Sequence, residues 1–211
     1  AAGSGNAAIL ESLGVDVVVS GGQTMNPSTR DLIEAAERVN ADSVIILPNN
    51  KNIIMAAQSA SEYSEKPCAV VPTTSVPEAF SALFGLDPNA TLEENVQAMS
   101  EACEDVHTGE VTWAIKNSKD AHDNPINEGD VIGIADGSIE AVGSTIDDVV
   151  MRLLEVMEAD DADTLTILAG EDMDAGAFDA LIKEIEDAYD ELEIDAHRGE
   201  QPLYPIILSL E

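Results

Sequence analysis

Gly21, Gly22, Gln23, Thr24, Asn26, Ser28 and Thr29 fall within nine residues, directly after the β-branched run Val17-Val18-Val19 and directly before a helical pattern. Glycines let a backbone approach a ligand closely, and hydroxyl and amide groups at a helix entrance can join free backbone N–H groups in holding an anion. The same residues also make an ordinary helix start. Asn26 can serve as N-cap, Pro27 suits the first helical position, and Arg30, Asp31 and Glu34 follow on exposed faces. Two more polar clusters follow apolar runs in the same way: Pro48-Asn49-Asn50-Lys51-Asn52 and Pro72-Thr73-Thr74-Ser75. If the three runs are parallel strands, their carboxyl ends lie along one edge, where open α/β sheets bind ligands. Helix capping and anion binding both remain open on these residues.

Other chemistries find no matching pattern. There is no G-x-x-x-x-G-K-[ST] loop, no G-x-G-x-x-G after a strand and no G-x-S-x-G elbow. His107, His122 and His197 are far apart, and the one loose pair at metal-ligand spacing, Cys103 and His107, is separated by Glu104 and Asp105, which suit a helix end. Acidic pairs are abundant, but none stands out from its background. The residues compose no self-sufficient active site, so no catalytic or metal-ligating residue is assigned and no cofactor is expected in this segment.

The elements that must position the clusters can be read from periodicity. Residues 7–13 are helical, 15–19 a buried strand, 27–39 a helix, 43–47 a strand, 52–63 a helix and 68–71 a strand. Such alternation predicts a parallel sheet with helices on both faces. Residues 79–85 and 92–105 are helical, the second with Leu92, Val96, Met99 and Cys103 on one side. The pattern then changes. Alternation at Val111, Trp113 and Ile115, with turn signals NP, EGD and ADGS, predicts three antiparallel strands. Thr145 and Asp148 start a helix in capping-box fashion that runs to about 157. A strand at 164–168, a helix at 175–192 and strands at 193–197 and 203–210 follow. The expectation is an α/β chain of two lobes: a parallel-sheet lobe over 1–106 and a mixed α/β lobe with antiparallel strands over 107–211.

Nine Lys and Arg stand against 42 Asp and Glu, a formal charge of −33 that repels nucleic acid and anionic membranes. The acids are spread along most of the chain, as solvated helix faces would be. No run of 18 apolar residues occurs, which predicts no membrane insertion, and no basic segment precedes an apolar one as in a signal peptide. Cys68 lies in a strand pattern and Cys103 in a helix pattern, so two reduced thiols and a cytoplasmic location are expected. The opening AAGSGNAAILESLG, small residues running into a helix, reads as a piece of a longer polypeptide cut just after a strand.

GGQTMNPST, VIILPNNKNIIMAA, VVPTTSVPEAFSALF and HRGEQPLYPIILSLE together resemble the C-terminal region of the ATP-binding subunit of bacterial fatty acid kinase, a dihydroxyacetone-kinase-like protein. More remotely, the chain is similar to DegV-like fatty-acid-binding proteins, which partner that kinase. The resemblance implies a DegV-like fold and a C-terminal domain that docks the fatty-acid-loaded DegV-like partner. It also implies an upstream kinase domain of the same chain that binds ATP and magnesium. The relatives grip an acyl carboxylate with a Thr-Ser-Gln-Pro-Ser type loop, a Ser-Gly loop and a late histidine. Here these positions are matched by Gln23, Thr24, Asn26 and Ser28, by Asn49, Asn50 and Asn52, and by His197, which Arg198 follows; Thr29 completes the first cluster. Two departures stand out. The relatives' Gly-Gly-Arg element gives way to VTWAIKNSKD, with only Lys116 and Lys119, and the Ser-Gly loop becomes Asn-Asn-Lys-Asn. The resemblance therefore implies a partner-docking domain, inactive by itself, with a lipid- or small-anion-binding domain as the alternative.

Overall fold

Apolar residues in the first hundred positions alternate between helical and extended spacing, and the computed structural model, which describes residues 1–21, 26–120 and 123–211, shows what they build. The chain divides into two compact units, Ala1–Val106 and His107–Glu211. In the first, helices α1 (Ser4–Ser12), α2 (Thr29–Arg38), α3 (Ile54–Tyr63), α4 (Val76–Phe84) and α5 (Leu92–Glu101) accompany strands β1 (Val44–Ile46) and β2 (Cys68–Val70). β1 and β2 pair in parallel, with Val44 opposite Cys68 and Ile46 opposite Val70. Successive strand residues face opposite sides, so Ile46 and Val70 pack with Leu32, Ile53, Ala57 and Ala60 of the α2–α3 layer. Ile45 instead joins Val71, Ala82 and Met99 of the α4–α5 layer. Helices on both faces of a parallel sheet are what the alternation predicts.

Residues 15–19 depart from expectation. Val17, Val18 and Val19 are suited to a strand, but among the described residues they join no ladder; Val19 offers its carbonyl to the Ala1 ammonium at 2.9 Å. Side-chain type fits a segment for a sheet, and only a neighbouring backbone makes it a strand.

The second unit begins with β3 (His107–Trp113), followed by the two-residue strands β4 (Ser118–Lys119) and β5 (Pro125–Ile126), then β6 (Val131–Ala135) and β7 (Ser138–Gly143). Helix α6 (Ile146–Val156), β8 (Thr164–Ala169), α7 (Ala175–Ala188), β9 (Glu193–Arg198) and β10 (Ile206–Leu210) complete it. Six strands form one sheet in the order β7-β6-β3-β10-β8-β9, antiparallel except for the β8–β9 pair. Val149, Val150, Leu153 and Leu154 of α6, with Phe178, Leu181 and Ile185 of α7, pack with Val111, Leu165, Ile167, Ile206, Leu208 and Leu210. Each such fully buried side chain stabilises the fold by about 1.5–3 kcal/mol relative to exposure. Gly109 is needed for the approach of α6: a Cβ there would stand 2.7 Å from a Leu208 methyl and 3.0 Å from one of Leu153.

Two local expectations shift. Thr145 caps α6 by accepting from the Asp148 N–H, but the Asp148 carboxylate turns to Arg152 one turn on, at 3.0 Å, and the reciprocal half of the box does not form. The last strand starts at Ile206, because residues 199–205 are tied into a loop over the end of β8. There Gln201, 1% exposed, donates its amide N–H to the carbonyls of Leu168 and Tyr204, and Gly170 N–H donates to the Pro205 carbonyl.

Candidate functional site

Helix α2 begins at the first polar cluster, and its cap is Ser28, two residues later than the Asn26 expected from sequence. The Ser28 hydroxyl accepts from Asp31 N–H at 3.2 Å while the Ser28 N–H donates to the Asp31 carboxylate at 2.8 Å, a closed capping box. The local reason is the acid three residues on: Ser28 has Asp31 at that distance, whereas Asn26 has Thr29, which offers no carboxylate. The Ser28 hydroxyl also donates to Asp31 at 2.7 Å. Hydrogen bonds from the Ser28 side chain and backbone hold the Asp31 carboxyl below its usual range. A negative charge thus already sits at the positive end of α2, which opposes a second anion there. Asn26 is exposed and Thr29 is the first helical residue. Gln23 and Thr24 lie outside the described residues.

The second and third clusters meet. Asn49 adopts a left-handed backbone, φ 58°, and its N–H donates to the Thr73 hydroxyl at 3.1 Å, while that hydroxyl donates to the Asn49 side-chain oxygen at 2.7 Å. Thr73 is 1% exposed, so this clamp is a buried tie between the ends of β1 and β2. Beside it, Thr74 gives both its N–H and its hydroxyl to Glu78, and Ser75 caps α4 by accepting from Glu78 N–H. The Asn50 side-chain oxygen accepts from Asn52 N–H at 2.9 Å, a turn that leads into α3. Thr73, Thr74, Ser75 and Glu78 are the functional-looking residues beyond those singled out for the site. The three hydroxyls stood in the PTTS punctuation and Glu78 lay outside it, and nothing local marked Thr73 as buried.

A cleft of about 540 Å³ runs beside α2, lined by Val18, Val19 and Ser20 and by Asp31, Ile33, Glu34, Glu37 and Arg38. Its carboxylates are engaged: Asp31 by Ser28, Glu34 by Arg30 at 2.7 Å, and Glu37 by the Glu65 N–H at 3.0 Å and the Ser64 hydroxyl at 3.3 Å. Three acids against the single Arg38 leave this wall net negative, which repels a carboxylate head. Lys66 Nζ closes the far end of α2 by donating to the carbonyls of Ala36, Glu37 and Val39.

His197 and Arg198 belong to the second unit, on the edge strand β9. His197 Nε2 lies 2.7 Å from the Asp195 carboxylate. Arg198 is a brace: its guanidinium donates to the carbonyls of Met173 at 2.9 Å and Gly170 at 3.4 Å and to the Glu200 carboxylate at 2.7 Å. Among the described residues no group of three or more His, Cys, Asp or Glu side chains could hold a metal ion. Neither Cys68 nor Cys103 is held in a disulfide; burial, with a smaller contribution from Glu37, pushes the Cys68 thiol up. No described helix is long and apolar enough to cross a membrane.

Residues 1–211 match the family model for the C-terminal region of FakA-like fatty acid kinase proteins. The chain belongs to that family. Protein YloV of Bacillus subtilis (strain 168) is 40% identical over 212 residues, covering 100% of this chain but 38% of its own length. The chain therefore spans well under half of the curated relatives it matches. Among solved structures, the DegV family protein Cg2579 from Corynebacterium glutamicum superposes with a TM-score of 0.64 at 14% identity, over 97% of this chain and 91% of that one. The Streptococcus pneumoniae fatty acid kinase (Fak) B3 protein loaded with linoleic acid does so with a TM-score of 0.58 at 13% identity, over 88% and 76%. The fold is thus DegV-like, with the parallel-sheet and mixed parts both present. The polar side chains at two strand ends, Asn49 with Thr73 and Thr74 with Glu78, and at the start of α2, Ser28 with Asp31, are each engaged by a neighbour of the same unit.

Proposed function

We propose that this chain is the partner-docking domain of a fatty acid kinase, recruiting a fatty-acid-loaded DegV-like protein to an ATP- and magnesium-binding domain elsewhere in the full polypeptide. There the acyl carboxylate oxygen would attack the γ-phosphorus of ATP, giving acyl phosphate and releasing ADP. No step of that transfer is assigned to residues of this chain, whose strand ends hold neither a glycine-rich phosphate loop nor a cluster of metal ligands among the described residues. The observation that carries the reading is the internal engagement of Ser28, Asn49, Thr73, Thr74 and Ser75 in a chain of this family. Groups already satisfied by their own chain gain little from a ligand.

The test is deletion of residues 1–211 from the full-length kinase, which should abolish acyl phosphate formation and leave ATP binding by the remainder intact. Normal phosphorylation of partner-bound fatty acid by the truncated enzyme would overturn the reading. The alternative, a lipid- or small-anion-binding domain with its ligand at the strand carboxyl ends, is favoured by the likeness to a protein loaded with linoleic acid. Native mass spectrometry of the purified chain separates the two: docking predicts an empty protein, binding a co-purified fatty acid.

A further inference from the structure

Two backbone edges in the first unit are open. β1 and β2 pair through Val44 and Ile46: Val44 N–H donates to the Pro67 carbonyl, and the Ile46 carbonyl accepts from Val71 N–H. The N–H and C=O of one strand residue point the same way and alternate along the chain, so those of Ile45 and Leu47 point away from β2. Among the described residues no backbone group meets them there. The run Val17-Val18-Val19 is open as well. Its backbone tie among the described residues is the Val19 carbonyl, which accepts from the Ala1 nitrogen at 2.9 Å. By the same alternation, Val17 also turns its N–H and carbonyl to the side from which the chain enters at Ala1.

Crossover handedness sets the order of these edges. α2 connects the Val17–Val19 segment to β1 and α3 connects β1 to β2, and the two helices share one layer through Leu32, Ala57 and Ala60. Right-handed crossovers on one face of a sheet step in one direction. β2 lies on one side of β1, so the Val17–Val19 segment lies on the other, the side that Ile45 faces. The two do not pair. One strand between them would satisfy both edges. Burial agrees: Val17, Val18, Val19, Ile45, Ile46 and Leu47 are only partly buried, although helices cover both faces of the β1–β2 pair and interior strands of such sheets are normally buried on both.

We propose that the residues directly preceding Ala1 in the longer polypeptide form a parallel strand between the Val17–Val19 segment and β1. The Ala1–Val19 bond sets its register: in a parallel ladder the residue before Ala1 stands opposite Val19, and Val19 N–H donates to the carbonyl one residue earlier still. The layers above and below are apolar, so the strand consists of about five uncharged, mostly aliphatic residues. A peptide N–H suits the Ala1 position better than an ammonium, whose charged form burial disfavours. A second copy of this chain is a poor occupant, because it would bring −33 charges against −33 and because a slot flanked on both sides is not reached by edge pairing. The inference goes beyond the docking reading and does not depend on it: the preceding polypeptide becomes part of this domain's own sheet.

The experiment is residue-resolved amide hydrogen exchange on the full-length polypeptide. The amides of Val17, Val19, Ile45 and Leu47 should exchange about a hundredfold or more slower than in an unstructured chain. Replacing the residues just before Ala1 by a Gly-Ser stretch of equal length should return them toward the unstructured rate, while the amides of Ile167 and Leu208 in the second unit stay protected. The same replacement made farther upstream should change none of them. Unprotected Val17, Val19 and Ile45 amides in the wild-type polypeptide would overturn the strand without recourse to any variant, and so would protection that survives the replacement beside Ala1. Protection already present in the 211-residue chain by itself, together with a dimer in sedimentation, would make the occupant a second copy and overturn its assignment to the same polypeptide.

Discussion

The two units put their polar side chains to different uses. In the first, the ends of β1 and β2 gather asparagine, threonine and serine into what reads as a ligand cradle, but the side chains close on one another: Asn49 on Thr73, Thr74 on Glu78, and at α2 Ser28 on Asp31. In the second, the sheet buries a continuous core under α6 and α7, and long-range polar ties, Thr112 to the Leu203 carbonyl and Arg198 to the carbonyls of Gly170 and Met173, hold the loops at its ends. The contrast teaches that clustered polar side chains are weak evidence for a site until their partners are known.

The largest effect expected concerns the loop of residues 199–205 that closes over the end of β8. A Cβ on Gly170 would stand 2.3 Å from the Tyr204 carbonyl oxygen and 2.8 Å from that of Gln201, both backbone atoms that cannot swing away. Gly170→Ala should cost about 3 kcal/mol in urea denaturation. A loss below about 0.5 kcal/mol would show the loop over the end of β8 to be soft.

Thr73→Val comes next. It removes the hydroxyl that both accepts from and donates to Asn49 in a buried position, and should cost about 2 kcal/mol. Partner affinity should stay unchanged if the strand ends are structural. A variant of unchanged stability that lost a co-purified fatty acid would reverse the comparison and restore the first unit as the binding site.

The smallest effect separates the two capping candidates. Ser28→Ala should cost about 1 kcal/mol in thermal denaturation, and Asn26→Ala no more than about 0.5 kcal/mol. If Asn26→Ala proved the costlier substitution, the capping box would be a minor feature. If it instead weakened partner binding at full stability, the loop would belong to the docking surface.

Much of the fold was legible because its signals are local. Prolines and glycines punctuate the elements, apolar spacing separates helix from strand, and even the Ser28 cap was written in the Asp31 three residues on, a cue outweighed by the more familiar Asn-Pro start. The family motifs were legible for the same reason, being contiguous strings. What residues 15–19 become was not legible, because a strand depends on a neighbour the local sequence does not contain.

By itself, then, the sequence determined the element types, the alternation that puts helices on both faces of a parallel pair, the acidity and the family. Only the tertiary structure decided that Thr73 closes on Asn49 across 24 residues, that Arg198 braces the carbonyls of Gly170 and Met173, and that the Thr112 hydroxyl reaches the Leu203 carbonyl. Local conformational preference acts over a few residues, whereas hydrogen-bond satisfaction and burial are properties of groups distant in the chain and adjacent in space.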